Sequence, residues 1–136
     1  MKLTRTSKYA ICALVALARQ DSKRFVASHL LAAAAGVPQK FLLKVLKPLV
    51  DAKVLRAFRG VNGGYRLVKP ALDITLLEVV ETVEGPIRGV VPEIEGSHSG
   101  FEQKLQAVCQ QAAEQLRAAL RSVRLSDLVS GSSQKK

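Results

Sequence analysis

Residues 37–67 read VPQKFLLKVLKPLVDAKVLRAFRGVNGGYRL. Pro38 suits the first turn of a helix, where its missing N–H has no bond to lose. At 100° per residue from Gln39 to Asp51, Phe41, Leu42, Val45, Leu46 and Leu49 fall on one side. Gln39, Lys40, Leu43, Lys44 and Lys47 fall on the other. The first set predicts a core face, the second a basic stripe with one amide and one exposed leucine. Pro48 is expected to kink this helix or to end its regular bonding near Lys44. Val54 to Arg59 then alternates loosely, Asn62-Gly63 supplies the positive φ angles of a tight hairpin turn, and Tyr65 to Lys69 returns. A phosphate-cradling nucleotide loop would need a helix directly after its glycines, and here a strand follows.

Upstream, Arg5 to Gln20 predicts a helix capped by Thr4 or Thr6 and buried on most sides after Tyr9. Asp21 to Lys23 read as a turn and Arg24 to Ala27 as a brief strand. Ser28 is expected to cap a short helix, His29 to Ala35, closed by Gly36. Downstream, Thr75-Leu76-Leu77-Glu78 has the form of a capping box opening a helix to about Glu84, with Leu76, Val79, Val80 and Val83 inward. Residues 85–100, GPIRGVVPEIEGSHSG, hold four glycines and two prolines and predict a loop. Phe101 to Val123 predicts a long helix with Phe101, Leu105, Val108, Ala112, Leu116, Ala119, Leu120 and Val123 on one stripe. Such a stripe must pack on its own domain or on a second copy. Ser126 is expected to cap a last short turn, and SGSSQKK from Ser130 to fray.

The chain has a formal net charge of +10, and its 136 residues fit one domain, or one domain plus an extension. The charge is uneven: residues 1–70 carry fourteen lysines and arginines against Asp21 and Asp51, whereas residues 71–136 carry seven against nine acids. A basic first half points to a polyanion, the alternative being a solubilising surface. The N-terminal MKLTRTSKYAICALVALARQ imitates a secretory signal, but its apolar run is short and serves equally as a helix, so a cytoplasmic protein is expected. No segment has the ~18 apolar residues of a membrane span.

In order, the elements read helix, short strand, helix, helix, two-stranded hairpin. The turn at Ala35-Gly36-Val37 between a short helix and a basic one gives the parts of a helix-turn-helix. The second helix of that motif lies in the DNA major groove with its N-terminal residues over base edges. Gln39 is then placed to pair with adenine, Lys40 or Lys44 with guanine, and Leu43 with a thymine methyl. Lys47 is expected at phosphate. The hairpin becomes a wing whose tip, Arg59, Gly60, Asn62, Gly63 and Gly64, approaches the duplex closely, with Arg59 in the minor groove and Arg56 and Arg66 on the flanking backbone.

The stretches MKLTRTSKYAICALVALA, GVPQKFLLKVLKPLVDAKVL, RGVNGGYRL and ITLLEVVETVEG resemble the Rrf2 family of bacterial winged helix-turn-helix transcription regulators, of the IscR, NsrR and CymR types. The resemblance extends to RLSDLV, and 37–67 is its most specific part. It implies a mainly α fold with a small β-hairpin and a homodimer joined through the long C-terminal helix, reading a pseudo-palindromic double-stranded operator. It adds Phe41 to the reading helix and places Lys2, Ser7, Lys8 and Tyr9 near phosphate. The expected division is a winged helix-turn-helix DNA-binding domain over 1–84, a loop over 85–100, a dimerisation helix with a short terminal helix over 101–129, and a disordered tail over 130–136. A repressor is expected, although the residues themselves do not separate it from an activator.

Cluster-sensing members carry three closely spaced cysteines in the loop before the long helix, and residues 85–100 contain none. Because thiolates hold iron–sulfur clusters, no cluster and no other metal or cofactor is expected. Cys12 and Cys109 form no disulfide framework; Cys109 reads as a small buried hydrophobe or as a redox thiol linking two subunits. His29 and His98 read as solvent-exposed. An unidentified small-molecule effector would find room in the loop or beside the long helix. Catalytic groupings are missing, so an enzyme is not expected. Four phenylalanines, two tyrosines and no tryptophan argue against single-stranded RNA, whose binders stack bases on aromatics. A winged helix serving protein contacts alone is the remaining alternative.

Overall fold

The computed structural model describes residues 1–20, 23–95 and 100–132. Helix α1 spans Arg5–Ala18, and Thr4 caps it, its side-chain oxygen accepting the Ser7 N–H at 3.0 Å. Helices α2 (Ser28–Ala35) and α3 (Gln39–Asp51) follow, joined through Gly36 at φ 71°, the left-handed conformation that ends a helix without Cβ strain. Strands β1 (Leu55–Phe58) and β2 (Gly64–Leu67) form an antiparallel hairpin pairing Leu55 with Leu67, Arg56 with Arg66, Ala57 with Tyr65 and Phe58 with Gly64. A single 3-10 turn, Ala71–Asp73, leads into α4 (Leu76–Glu84). Beyond the loop come α5 (Glu102–Arg121) and α6 (Leu125–Ser132).

One apolar core joins these elements. Leu14 from α1, Leu31 from α2, and Leu42, Leu46 and Leu49 from α3 are fully buried together with Val54 and Ile74. Each such leucine contributes about 1.5–3 kcal/mol by leaving water. Helix α6 returns to this core through Leu125, while the 123–125 segment pairs with 74–76: the Leu76 N–H donates to Val123 O and the Leu125 N–H to Ile74 O, each at 2.8 Å. A second small cluster, Leu77, Val80 and Leu120, fastens α5 to α4. The Arg117 guanidinium reinforces it on Glu81, whose carboxylate also accepts the Ile87 N–H at 2.9 Å.

Several expected details differ. Ser28 is the first residue of α2 and not its cap, because the Ala27 carbonyl already accepts from the Leu31 N–H; no side chain caps that end. Pro38 stands at the cap of α3, one residue ahead of its expected place. Thr75 caps α4, but Glu78 does not reach back to it, since Lys69 holds its carboxylate at 2.9 Å. Ser126 lies inside α6, and the Asp127 carboxylate accepts the Arg124 N–H at that helix's start. Ser130 to Ser132 are helical, not frayed; the rest of that tail and His98 lie outside the described residues.

Candidate nucleic-acid interface

Helix α3 divides its side chains nearly as its periodicity requires. Leu42, Val45, Leu46 and Leu49 are buried, while Gln39, Lys40, Leu43, Lys44 and Lys47 are exposed. Phe41 is the exception, being 38% exposed where the helical wheel put it in the core. Its ring stacks on Tyr9 of α1, with centroids 6.1 Å apart and planes 20° from parallel, and Lys40 Nζ lies 5.1 Å from its centroid. An aromatic at the wheel's edge finds a neighbouring ring before it reaches the core. Arg5, Tyr9, Phe41 and Lys44 line the small cleft so formed between α1 and α3. The helix continues through Pro48 to Asp51, although proline has no N–H to offer the Lys44 carbonyl.

The hairpin is a wing with a five-residue loop, 59–63, and of the Asn62-Gly63 pair only Asn62 has the positive φ expected of both. Asn62 has φ 65°, and the Gly63 N–H donates to Gly60 O at 3.0 Å. The adjacent glycines are required by the protein's own backbone. A Cβ at Gly63 would overlap the Phe58 carbonyl, and one at Gly64 would overlap the Val26 carbonyl. Val26 is the expected brief strand reduced to one bridge, exchanging hydrogen bonds of 2.8 and 2.9 Å with Tyr65. Gly63 therefore closes the loop on its own strand, and Gly64 lets a third segment close against the wing.

Reading helix and wing converge. Leu43 and Lys47 of α3, His29 of α2 and Arg59 of the wing line one open cleft. Lys47 is engaged by Asp51 at 3.3 Å, an exposed i,i+4 pair. Arg56 and Arg66 do not join them. They sit opposite each other in the ladder and line a different cleft with Leu17, and the Arg66 guanidinium lies 4.7 Å from the Phe25 ring centroid. Strand alternation separates the two sets, since Arg56 and Ala57 point to opposite faces.

At the start of α1, Lys2 and Lys8 are exposed and Tyr9 is half-buried. Ser7 is not available to phosphate, because it is fully buried and its hydroxyl donates to Glu84. Glu84, the last residue of α4, also accepts from the Thr4 hydroxyl at 2.8 Å and the Thr4 N–H at 3.3 Å. The Ser7 hydrogen bond above all, against a smaller desolvation effect and helped by Thr4, holds the Glu84 carboxyl below the usual carboxylate range. Arg5, His29 and Glu84 were missed in the sequence. Arg5 precedes Tyr9 by four, the spacing of one helix face, and is the only one of the three with a local signal.

The stripe of α5 is split. Phe101, Leu105 and Val108 are 56%, 42% and 52% exposed, and Ala112 and Ala119 are also open. Leu120 is buried against α4, with Leu116 and Val123 half-buried. Cys12 and Cys109 are free and half-buried. Among the described residues no helix is long and apolar enough to cross a membrane.

Comparison with known proteins agrees with this geometry. The family model "Rrf2: Iron-dependent Transcriptional regulator" matches residues 3–131. The HTH-type transcriptional regulator Rv1287 of Mycobacterium tuberculosis is 32% identical over 133 residues, spanning 96% of this chain and 83% of the relative. IscR of Cereibacter sphaeroides is 29% identical, spanning 95% and 87%. Among solved structures, CymR of B. subtilis, described as the global cysteine regulator, superposes with a TM-score of 0.75 at 22% identity, covering 96% of this chain and 97% of its own. IscR of T. potens gives 0.75 at 20% identity, covering 100% and 93%. These relatives are transcriptional regulators rather than enzymes, and the CymR and IscR structures share the helical fold with its two-stranded wing. The chain thus belongs to the Rrf2 family of DNA-binding, helix-turn-helix transcriptional regulators.

Proposed function

We propose that this regulator acts in the cytoplasm as a homodimer that reads a pseudo-palindromic duplex operator, as a repressor and without an iron–sulfur cluster. The observation that carries the operator reading is the shared cleft of Leu43, Lys47 and Arg59. Gln39, Lys40, Phe41, Leu43 and Lys44 face the major groove, Arg59 enters the adjacent minor groove, and Lys2, Lys8 and Lys47 meet phosphate. Residues 1–84 with α6 make the DNA-binding body, since Leu125 completes its core. The second copy covers Phe101, Leu105 and Val108, a length of apolar helix that leaves its own chain unsatisfied.

The family description names iron, but the residues present do not fit a cluster. The loop at 85–100 has no cysteine, Cys12 and Cys109 lie on separate helices, and among the described residues no three His, Cys, Asp or Glu side chains are grouped to hold a metal.

Selection of bound duplexes from a random pool tests the reading, with the absorbance of the purified protein recorded alongside. The expected result is a palindrome whose half-sites lie about one helical turn apart, ~34 Å, or a small multiple of it. Enrichment without any defined sequence would overturn operator reading, and a visible absorption band would overturn the cluster-free assignment. Transcription in vitro from a promoter overlapping the selected site should fall when the protein is added; a rise makes it an activator.

A further inference from the structure

The face of the wing turned away from the α3 cleft holds a second concavity, of about 540 Å³. Small-molecule sites run from roughly 300 to 1,000 Å³ and combine an apolar lining with a few convergent polar groups. Here Leu17, Leu67 and Ala71 give the apolar lining, and Arg56, Arg66, Lys23 and Lys69 the charged one. Leu17 lies near the end of α1 opposite to Lys8, at about 1.5 Å per residue along the helix.

Two of the charges in this cleft, those of Arg56 and Arg66, have no compensating carboxylate among the described residues. Arg56 and Arg66 are direct cross-strand partners, an arrangement in which like charges repel. Neither has an ion-pair partner among the described residues, and no acid among those residues lines the cleft. By contrast Lys69, on the same rim, is neutralised by Glu78. Arg66 is also held in place, stacked on Phe25 and donating to the Lys23 carbonyl at 3.2 Å, so its position is fixed while its charge is not neutralised. Two arginines paired across the ladder, one of them held by a ring and a carbonyl, suit the two oxygens of a carboxylate.

We propose that this cleft is a binding site for a small organic anion, a carboxylate joined to an apolar body. The carboxylate sits between Arg56 and Arg66, relieving their repulsion, and the apolar body lies on Leu17, Leu67 and Ala71. Bound there, the anion clamps β1 to β2 three residues from Arg59. The cleft would serve as the effector site, placed behind the wing and not in the 85–100 loop.

The full chain, isotopically labelled and without DNA, is titrated with octanoate as the amphipathic carboxylate, inorganic phosphate as a bare anion, and 1-octanol as the uncharged body. Octanoate is expected to shift the amide signals of Leu17, Arg56, 66–69 and Ala71 and to saturate, with phosphate and octanol roughly tenfold weaker or more. Arg56→Gln, at an exposed position, should weaken octanoate by roughly tenfold and leave the remaining spectrum in place. Equal responses to all three probes, shifts confined to Phe101, Leu105 and Val108, or undiminished affinity in Arg56→Gln would each overturn the site. If octanoate leaves these signals unmoved and a short duplex alone shifts them, the arginines belong to the operator backbone and the proposal fails.

Discussion

Glu84 accepts the Ser7 hydroxyl across 77 positions of sequence, fastening the end of α4 to the first turn of α1. Thr4 joins through both its hydroxyl and its N–H while its oxygen also caps Ser7, so one carboxylate organises the whole helix start. A negative charge is favourable there because the first N–H groups of a helix point outward unpaired. Lys8, proposed to meet phosphate, is carried on this turn, and Lys2 lies just ahead of it.

The Glu84 contribution should depend on pH with a definite sign. Its folded-state carboxyl is held below the unfolded value of 4.5, so the ionised form stabilises fully above 4.5 and the benefit is lost as pH falls through the folded value. Urea unfolding of wild type and Glu84→Gln should therefore differ most near neutrality and converge below 4.5. The difference at neutral pH should be about 1 kcal/mol or less, since solvent screens a carboxylate this exposed. A gap that widens on acidification would contradict this assignment.

Tyr9 and Phe41 should be energetically coupled. Stacked rings contribute about 0.5–1.5 kcal/mol beyond burial, so a double-mutant cycle with Tyr9→Ala and Phe41→Ala should return a coupling in that range. Because the pair sets how α3 leans on α1, either substitution should lower affinity for the selected operator more than for random duplex. A coupling near zero would make the rings independent contacts.

How much of this was legible in the sequence follows from the range of the forces involved. Helix α3 and its two faces were readable because periodicity is local, and Gly36 because a helix end needs a left-handed residue there. The wheel failed at Phe41 because Tyr9, thirty-two positions earlier, supplies the competing ring. The capping box was half right for the same reason: Thr75 acts within its own turn, whereas Glu78 is drawn away by Lys69. Ser7 looked like a phosphate ligand until Glu84 arrived from another helix. The glycine pair was recognised as a turn, and Gly63 does answer to the hairpin's own Phe58 carbonyl, yet the cause at Gly64 is the approach of Val26, which no pattern inside the hairpin records.

Gly64→Ala tests that cause directly. The added methyl would meet the Val26 carbonyl, and the glycine has φ 150°, a backbone state that side chains rarely adopt. Breaking the Val26–Tyr65 bridge removes two backbone hydrogen bonds, each with a net value of about 1 kcal/mol, so a loss of ~2 kcal/mol or more is expected by urea unfolding. A wing packed without that bridge would leave the variant as stable as wild type.

Lys47 and Arg59 line the same cleft but should fail differently. Lys47→Ala should weaken all duplexes alike and lower the slope of log K against log salt by about 0.9, the share of one phosphate. Asp51→Asn frees Lys47 from its 3.3 Å partner and should strengthen binding to any duplex, by up to a few fold given an exposed pair's small value. Arg59→Ala should hurt most where an A·T-rich minor groove is present, because that groove is narrow and strongly negative. Fluorescence anisotropy on matched A·T-rich and G·C-rich flanks separates the outcomes; equal losses for Arg59→Ala would reduce it to a phosphate contact.

The exposed part of α5 supplies the last test. Leu105 and Val108 lie three positions apart on one helix face, both in contact with water in the single chain, while Leu120 on the same stripe is already buried against Leu77 and Val80. Charges introduced at the two kinds of position should therefore separate assembly from folding. Val108→Glu places a carboxylate where a second copy would sit, at little cost to the lone chain, so sedimentation should shift from dimer to monomer with the far-ultraviolet helix signal kept. Leu120→Glu buries that charge within the chain itself and should unfold α5 from α4, with a loss of several kcal/mol. If Val108→Glu still sediments as a dimer, the two chains meet elsewhere, and the apolar run from Phe101 to Val108 covers something other than its own copy.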